Sequence, residues 1–259
     1  MNSQIYPLWT IVKVSLFALL FFCIAPLALA ESKLAIIRVK DGVANVHSGA
    51  GKSCDVLTTV EKGDFFYCDS MAPQWVKVTT YKWVKGTQVS GYMRKSSVQL
   101  VENLKDEVKR KLILEIFIKQ QQLADSFVSA CRSKDSLRHR TAIRELEEYT
   151  DRKYSPVLEI FSGYFCKTKD TKLMMQFFAT LWADNGSANE EPSFAMGRCF
   201  ICHPALVLDI IKKIKNKDER LMIYDEIYFG LAIHFDESLD EKPTNKDYLR
   251  FKKMLDKAE

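Results

Sequence analysis

The chain has 259 residues, 38 Lys and Arg against 33 Asp and Glu, and a formal net charge of +5. Acids and bases are interleaved, as in Arg144-Glu145-Leu146-Glu147-Glu148. That pattern describes a solvated surface and argues against a nucleic-acid footprint, which would gather the basic residues on one face.

Residues 1–30 read as a cleavable export signal. A single charge, Lys13, precedes an apolar run over 16–29 that Pro26 interrupts, and Ala28-Leu29-Ala30 is a small-x-small cleavage pattern. The uninterrupted core, 16–25, is about half the roughly 20 apolar residues a bilayer-spanning helix needs. Leu20-Phe21-Phe22 ahead of Cys23 lacks the small residue of a lipoprotein signal. Cleavage after Ala30 leaves 229 of the 259 residues and removes only Lys13 among the charges, so the net charge falls from +5 to +4. The expectation is a periplasmic or secreted protein that meets the membrane only during export and meets no nucleic acid. Its length suits one large or two small domains, each with its own core.

Residues 34–101 carry short-strand patterns. Leu34-Ala35-Ile36-Ile37-Arg38-Val39 is apolar and β-branched, and Asp41-Gly42 turns it. Residues 54–60 and 65–68 flank a Glu61-Lys62-Gly63-Asp64 turn, with glycine where positive φ is needed. Trp75-Val76-Lys77-Val78 alternates as a half-buried strand does; residues 81–83 follow it, and Gly91-Tyr92-Met93 opens the last strand. Trp75 is expected in the core. Five or six short strands in so short a span fit a small barrel, whose closure hides strand edges.

The stretch resembles a bacterial SH3 domain. The family's N-V-R-S-G-x-G signature stands here as Asn45-Val46-His47-Ser48-Gly49-Ala50-Gly51. Its x-K-G-D turn is Glu61-Lys62-Gly63-Asp64, its W-x-K-V strand is Trp75-Val76-Lys77-Val78, and Gly91-Tyr92-Met93 replaces Gly-Trp-Val. Four motifs in the right order cover roughly a quarter of the 259 residues. His47 replaces the usual Arg, Ala50 the usual Pro, and 82–90 is a longer, more polar loop. The resemblance implies an interaction module that binds cell-wall peptide or an envelope protein. Tyr67, Tyr81, Trp83 and Tyr92 are the candidate ligand contacts, flat side chains with an apolar body and a polar tip.

The period then changes to that of a helix. Leu104, Val108, Leu112 and Ile116 recur every four residues, Asn103 offers an N-cap, and Asp106 and Glu107 complement the helix dipole. Further helices are expected over 136–149, 156–166, 170–183, 204–214 and 218–235, with a charged final segment over 245–257. Pro156, Pro192, Pro204 and Pro243 punctuate them, and 184–189 is the clearest loop. The expected architecture is multidomain, all-β plus all-α. A signal over 1–30 precedes an SH3-like barrel over 31–102; a helical bundle or short HEAT-type stack occupies 103–259.

Six cysteines follow the signal, an even number compatible with disulfides in an oxidising space. Cys54 and Cys68 are symmetric about Glu61, so a hairpin turning there would oppose them at Cβ separations of about 4.5–5.5 Å. Cys199-Phe200-Ile201-Cys202-His203 is a literal C-x-x-C-H, the attachment sequence of c-type haem, in which two thiols take the vinyl groups and the His ligates iron. The motif sits in an unbroken helical pattern, and the bulky Phe200 and Ile201 fit a packed helix end. A local disulfide or buried thiols, and a redox C-x-x-C pair, therefore compete with haem c as its use. No H-E-x-x-H, phosphate loop or G-x-S-x-G occurs. The sequence expectation is a non-enzymatic binding protein with no metal and no cofactor, a haem c protein being the alternative.

Overall fold

The computed structural model describes residues 33–37, 42–84, 87–133, 135–181, 190–237 and 243–258; side chains of 33–37, 80–84 and 87–88 fall outside the description. The expected signal and the 184–189 loop lie outside the described residues.

Seven strands form one antiparallel sheet: β1 (Lys33–Ile37), β2 (Val43–His47), β3 (Val56–Glu61), β4 (Phe65–Met71), β5 (Trp75–Val84), β6 (Thr87–Arg94) and β7 (Val98–Leu100). Their order is β3-β2-β6-β5-β4-β1-β7. Alternation sends Val46, Val60, Phe66, Cys68, Val76, Val78 and Met93 to a common core. Val98 and Leu100, on the far edge strand, pack against that same core, so the sheet is curled. Among the described residues β3 and β7 remain edges that do not pair with each other. The stretch expected as a long loop over 82–90 is mostly strand, because β5 extends to Val84 and β6 begins at Thr87.

The Glu61–Asp64 turn forms as expected. Gly63 has φ +79°, the Asp64 amide donates to the Glu61 carbonyl at 3.0 Å, and the Glu61 amide donates to Asp64 Oδ2 at 2.8 Å. The strands it joins are not partners: β3 pairs with β2, while β4 pairs with β1 and β5. Cys54 and Cys68 therefore never face each other, and the expected disulfide between them is absent. Both stay thiols, Cys68 donating to the Ser70 carbonyl at 3.6 Å.

The strand pattern ends at Leu100, and helices begin at Asp106. They are α1 (Asp106–Cys131), α2 (Ser136–Tyr149), α3 (Ser155–Thr168), α4 (Thr171–Leu181), α5 (Glu191–Cys202), α6 (Pro204–Ile211), α7 (Lys217–Phe235) and α8 (Lys246–Asp256). Asn103, expected as a cap, instead closes a short 3-10 turn, and Lys105 precedes α1 without a side-chain cap. Asp135, Asn216 and Asn245 do cap α2, α7 and α8, each accepting two backbone N–H bonds that the helix start leaves unmet. The charged final segment is anchored: Tyr248, Phe251 and Leu255 of α8 are buried.

One core runs through the helices. At its centre Phe161 lies 4.8 Å from Phe177 and 5.1 Å from Phe117, ring centre to ring centre. Burying each such ring stabilises the fold by roughly 1.5–3 kcal/mol. No single described helix is long and apolar enough to cross a membrane.

Helices α2 and α3 run on through a π-turn, Thr150–Tyr154. Pro156 explains it: proline has no N–H to donate and its ring clashes with the carbonyl four residues back, so the turn widens ahead of it. The widened turn carries Arg152 and Lys153 to the β3–β4 corner. There Arg152 Nη2 donates to Asp64 Oδ2, Lys153 Nζ lies 3.3 Å from Asp64 Oδ1, and Lys153 donates to the Lys62 carbonyl at 2.9 Å. The next residue, Phe65, is buried in the helical core rather than the sheet core.

Candidate functional site

The outer face of the curled sheet follows from the strand phase. Because Val76 and Val78 point inward, Trp75, Lys77 and Thr79 point outward; because Met93 points inward, Tyr92 and Arg94 point outward. Register brings them together: Trp75 pairs with Arg94, Lys77 with Tyr92, and Tyr92 with His47 on β2. The Arg94 guanidinium lies 5.9 Å from the centre of the Trp75 ring, within cation–π range. His47 meets the same ring edge-on at 5.5 Å and donates from Nδ1 to the Cys54 carbonyl at 3.0 Å. This ties the loop after β2 to the indole.

A cleft of about 780 Å³ opens beside Trp75. Gly51, Lys52, Gln74, Trp75, Arg94 and Lys95 are among the residues that line it. Two backbone bonds fix its shape: the Lys95 amide donates to the Gln74 carbonyl at 2.9 Å, and the Ala72 amide to the Trp75 carbonyl at 2.8 Å. Farther along the face, Thr79 Oγ1 donates to Asp69 Oδ2 at 3.3 Å, and Lys77 Nζ lies 3.9 Å from the same oxygen. That end is self-neutralised, whereas the Trp75 end is not.

The structure corrects the reading of Trp75. It is half-buried at the cleft and not in the core. Trp75 shares its phase with Lys77, so the sequence already held the signal. Of the four aromatics expected to contact ligand, Tyr92 is half-buried on this face next to His47. Tyr67, also half-buried, pairs with Thr79, away from the cleft. The side chains of Tyr81 and Trp83 lie outside the described residues. Lys52, Arg94 and Lys95 carry no sequence motif, and only the fold gathers them.

The C-x-x-C-H segment is committed elsewhere. Cys202 forms a disulfide with Cys166, across a Cα–Cα distance of 5.5 Å, and not with Cys199. Cys199 and Cys202, three apart on α5, point to different neighbours: Cys199 is fully buried in the core, while Cys202 reaches the end of α3. Burial pushes the Cys199 thiol far above its ordinary range, opposed only weakly by the Arg198 charge. His203 Nε2 donates to the Cys166 carbonyl at 2.7 Å and packs edge-on against Phe165. With one thiol oxidised, one enclosed and the imidazole bonded to backbone, this arrangement does not fit covalent haem. Among the described residues no three His, Cys, Asp or Glu side chains gather as a metal site.

Comparison with known proteins finds no matching family model, curated protein or solved structure.

Proposed function

We propose that the chain is an exported, non-enzymatic binding protein whose curled sheet is an SH3-like module engaging cell-wall peptide or an envelope protein. The observation that carries this reading is the Trp75 face: a half-buried indole flanked by His47, Tyr92 and Arg94, opening into a cleft held by backbone bonds. Flat, rigid aromatics give contact area at small entropic cost, which suits recognition of an extended peptide. The four ordered motifs of the resemblance and the export signal support the compartment and the module. The helical segment, sharing Phe65 with the sheet, presents the face on a fixed base.

Sedimentation with purified cell-wall sacculi, and with detergent-extracted envelope proteins on beads, tests the reading. The exported protein is expected to co-sediment with one of the two. Trp75→Ala and Tyr92→Ala should each weaken retention about tenfold, as loss of an aromatic anchor commonly does. Retention by neither, or retention indifferent to both substitutions, removes the reading.

A further inference from the structure

Charge around the cleft is one-sided. Lys52, Arg94 and Lys95 are all exposed at its rim, and none of the nine residues lining it is acidic. Among the described residues none of the three cations has a carboxylate partner, in contrast to Lys77, which faces Asp69. Like charges held around one concavity repel one another and raise the local concentration of anions. Arg94 is also pre-positioned. Stacked near the Trp75 ring, its planar guanidinium keeps its N–H fork available and has less freedom to lose on binding.

From this charge complementarity we infer that the cleft takes an acidic peptide, with Arg94 gripping a carboxylate, Lys52 and Lys95 closing on a second, and Trp75 stacking under the chain between them. The inference deepens the binding role proposed above and rests on it for the biological setting. A neutral peptide would leave the three cations unmatched and a basic one would be repelled, so selectivity follows from what the walls reject as well as from what they hold. Binding should weaken with added salt, because the groups are exposed and screened.

The test is a titration of the exported, nitrogen-15-labelled protein, following the Trp75 indole and the Lys52 and Lys95 amide signals. The probes are tetraglutamate, tetraglutamine and inorganic phosphate. Tetraglutamate is expected to shift these signals saturably and to bind at least about tenfold more tightly than tetraglutamine, in line with the cost of losing close charge pairs. Arg94→Gln with Lys95→Gln should lower tetraglutamate affinity about tenfold with the remaining spectrum unchanged. Lys52→Gln, in an exposed loop, serves as the second variant should that pair disturb the fold. Equal binding of tetraglutamate and tetraglutamine, or no shift with tetraglutamate, overturns the inference. Phosphate matching tetraglutamate overturns the peptide class and leaves a general anion site. Sacculi or envelope protein retained while tetraglutamate fails would spare the binding role and sink only the carboxylate. Tetraglutamate bound with neither retained would do the reverse.

Discussion

Single residues here are governed by what encloses them. Cys199 and Cys202 sit three apart on one helix and so on nearly the same face, yet one is a buried thiol and the other is oxidised, because Cys166 at the end of α3 lies within disulfide reach of Cys202. The Cys166–Cys202 link closes a sequence separation of 36, a loop whose closure in the unfolded chain corresponds to roughly 3–4 kcal/mol in the chain-entropy model. Digestion without reduction should therefore yield one peptide pair joining Cys166 to Cys202, and the intact mass should be lower by the hydrogens of one bond. Under native conditions iodoacetamide should label exposed Cys131 first and leave Cys199 untouched until denaturant is added, since a buried, protonated thiol is a poor nucleophile. Recovery of Cys199 linked to Cys202, or of Cys54 linked to Cys68, would refute the arrangement. Trp75 makes the same point differently. A large aromatic usually means core, but strand phase outranks residue type, and Val76 and Val78 already occupy the inward phase.

At the scale of elements, local signals carried far. The helix over 136–149 has the bounds its apolar period predicts, and the Gly63 turn has the positive φ its residue type announces. Whatever depended on distant partners was not legible. Helix α5 is legible only at its end, where Phe200 and Ile201 pack, although Pro192 marks its start, because its glycine and small residues blur the apolar stripe. Those small residues are the reason α5 works: Gly197 meets Gly230 of α7 backbone to backbone. A methyl carbon on Gly197 would lie 2.6 Å from the Gly230 carbonyl oxygen, and one on Gly230 would lie 2.8 Å from the Gly197 nitrogen. Neither neighbour is a side chain that can swing away. Ser193 Oγ donates to Glu226 at the same crossing, adding a polar tie within it. Gly230→Ala should thus destabilise by about 3 kcal/mol, the upper end of overpacking costs, although alanine favours helix in isolation. Denaturant midpoints decide it: an unchanged or raised midpoint would mean that the helices separate cheaply and the crossing is not tight. The candidate site was legible only in part. The signature loop and Tyr92 could be read, but gathering Lys52, Arg94 and Lys95 required the register of β5 on β6 and the fold of the β2–β3 loop.

For the whole molecule, the question is whether sheet and bundle behave as two bodies or one. A change of period near residue 103 reads as a domain boundary, yet the K-G-D turn crosses it. Asp64 has a side chain only 5% exposed, between Arg152 at 22% and Lys153 at 21%, and Phe65 enters the helical core directly after it. A carboxylate enclosed this far is stable only while its cations stay. Removing one partner of a buried pair costs about 3–5 kcal/mol. Here Lys153 remains and the seam is partly wet, so Arg152→Ala should cost about 2 kcal/mol, below that range. Asp64→Ala combined with Arg152→Ala should cost less than the two single changes added together, the mark of direct coupling. The seam also sets cooperativity. In the unaltered chain, hydrogen exchange of β4 and α4 amides should report one common opening free energy, because losing the sheet bares Phe65 and losing the bundle strands Asp64. Arg152→Ala with Phe65→Ala should split them, the sheet amides exchanging by a cheaper route than those of α4. Additive single-site costs would show that the ion cluster merely decorates the boundary. Exchange that stays common in the double variant would place the coupling elsewhere, in the β1 and Val101 contacts that also bridge the two layers.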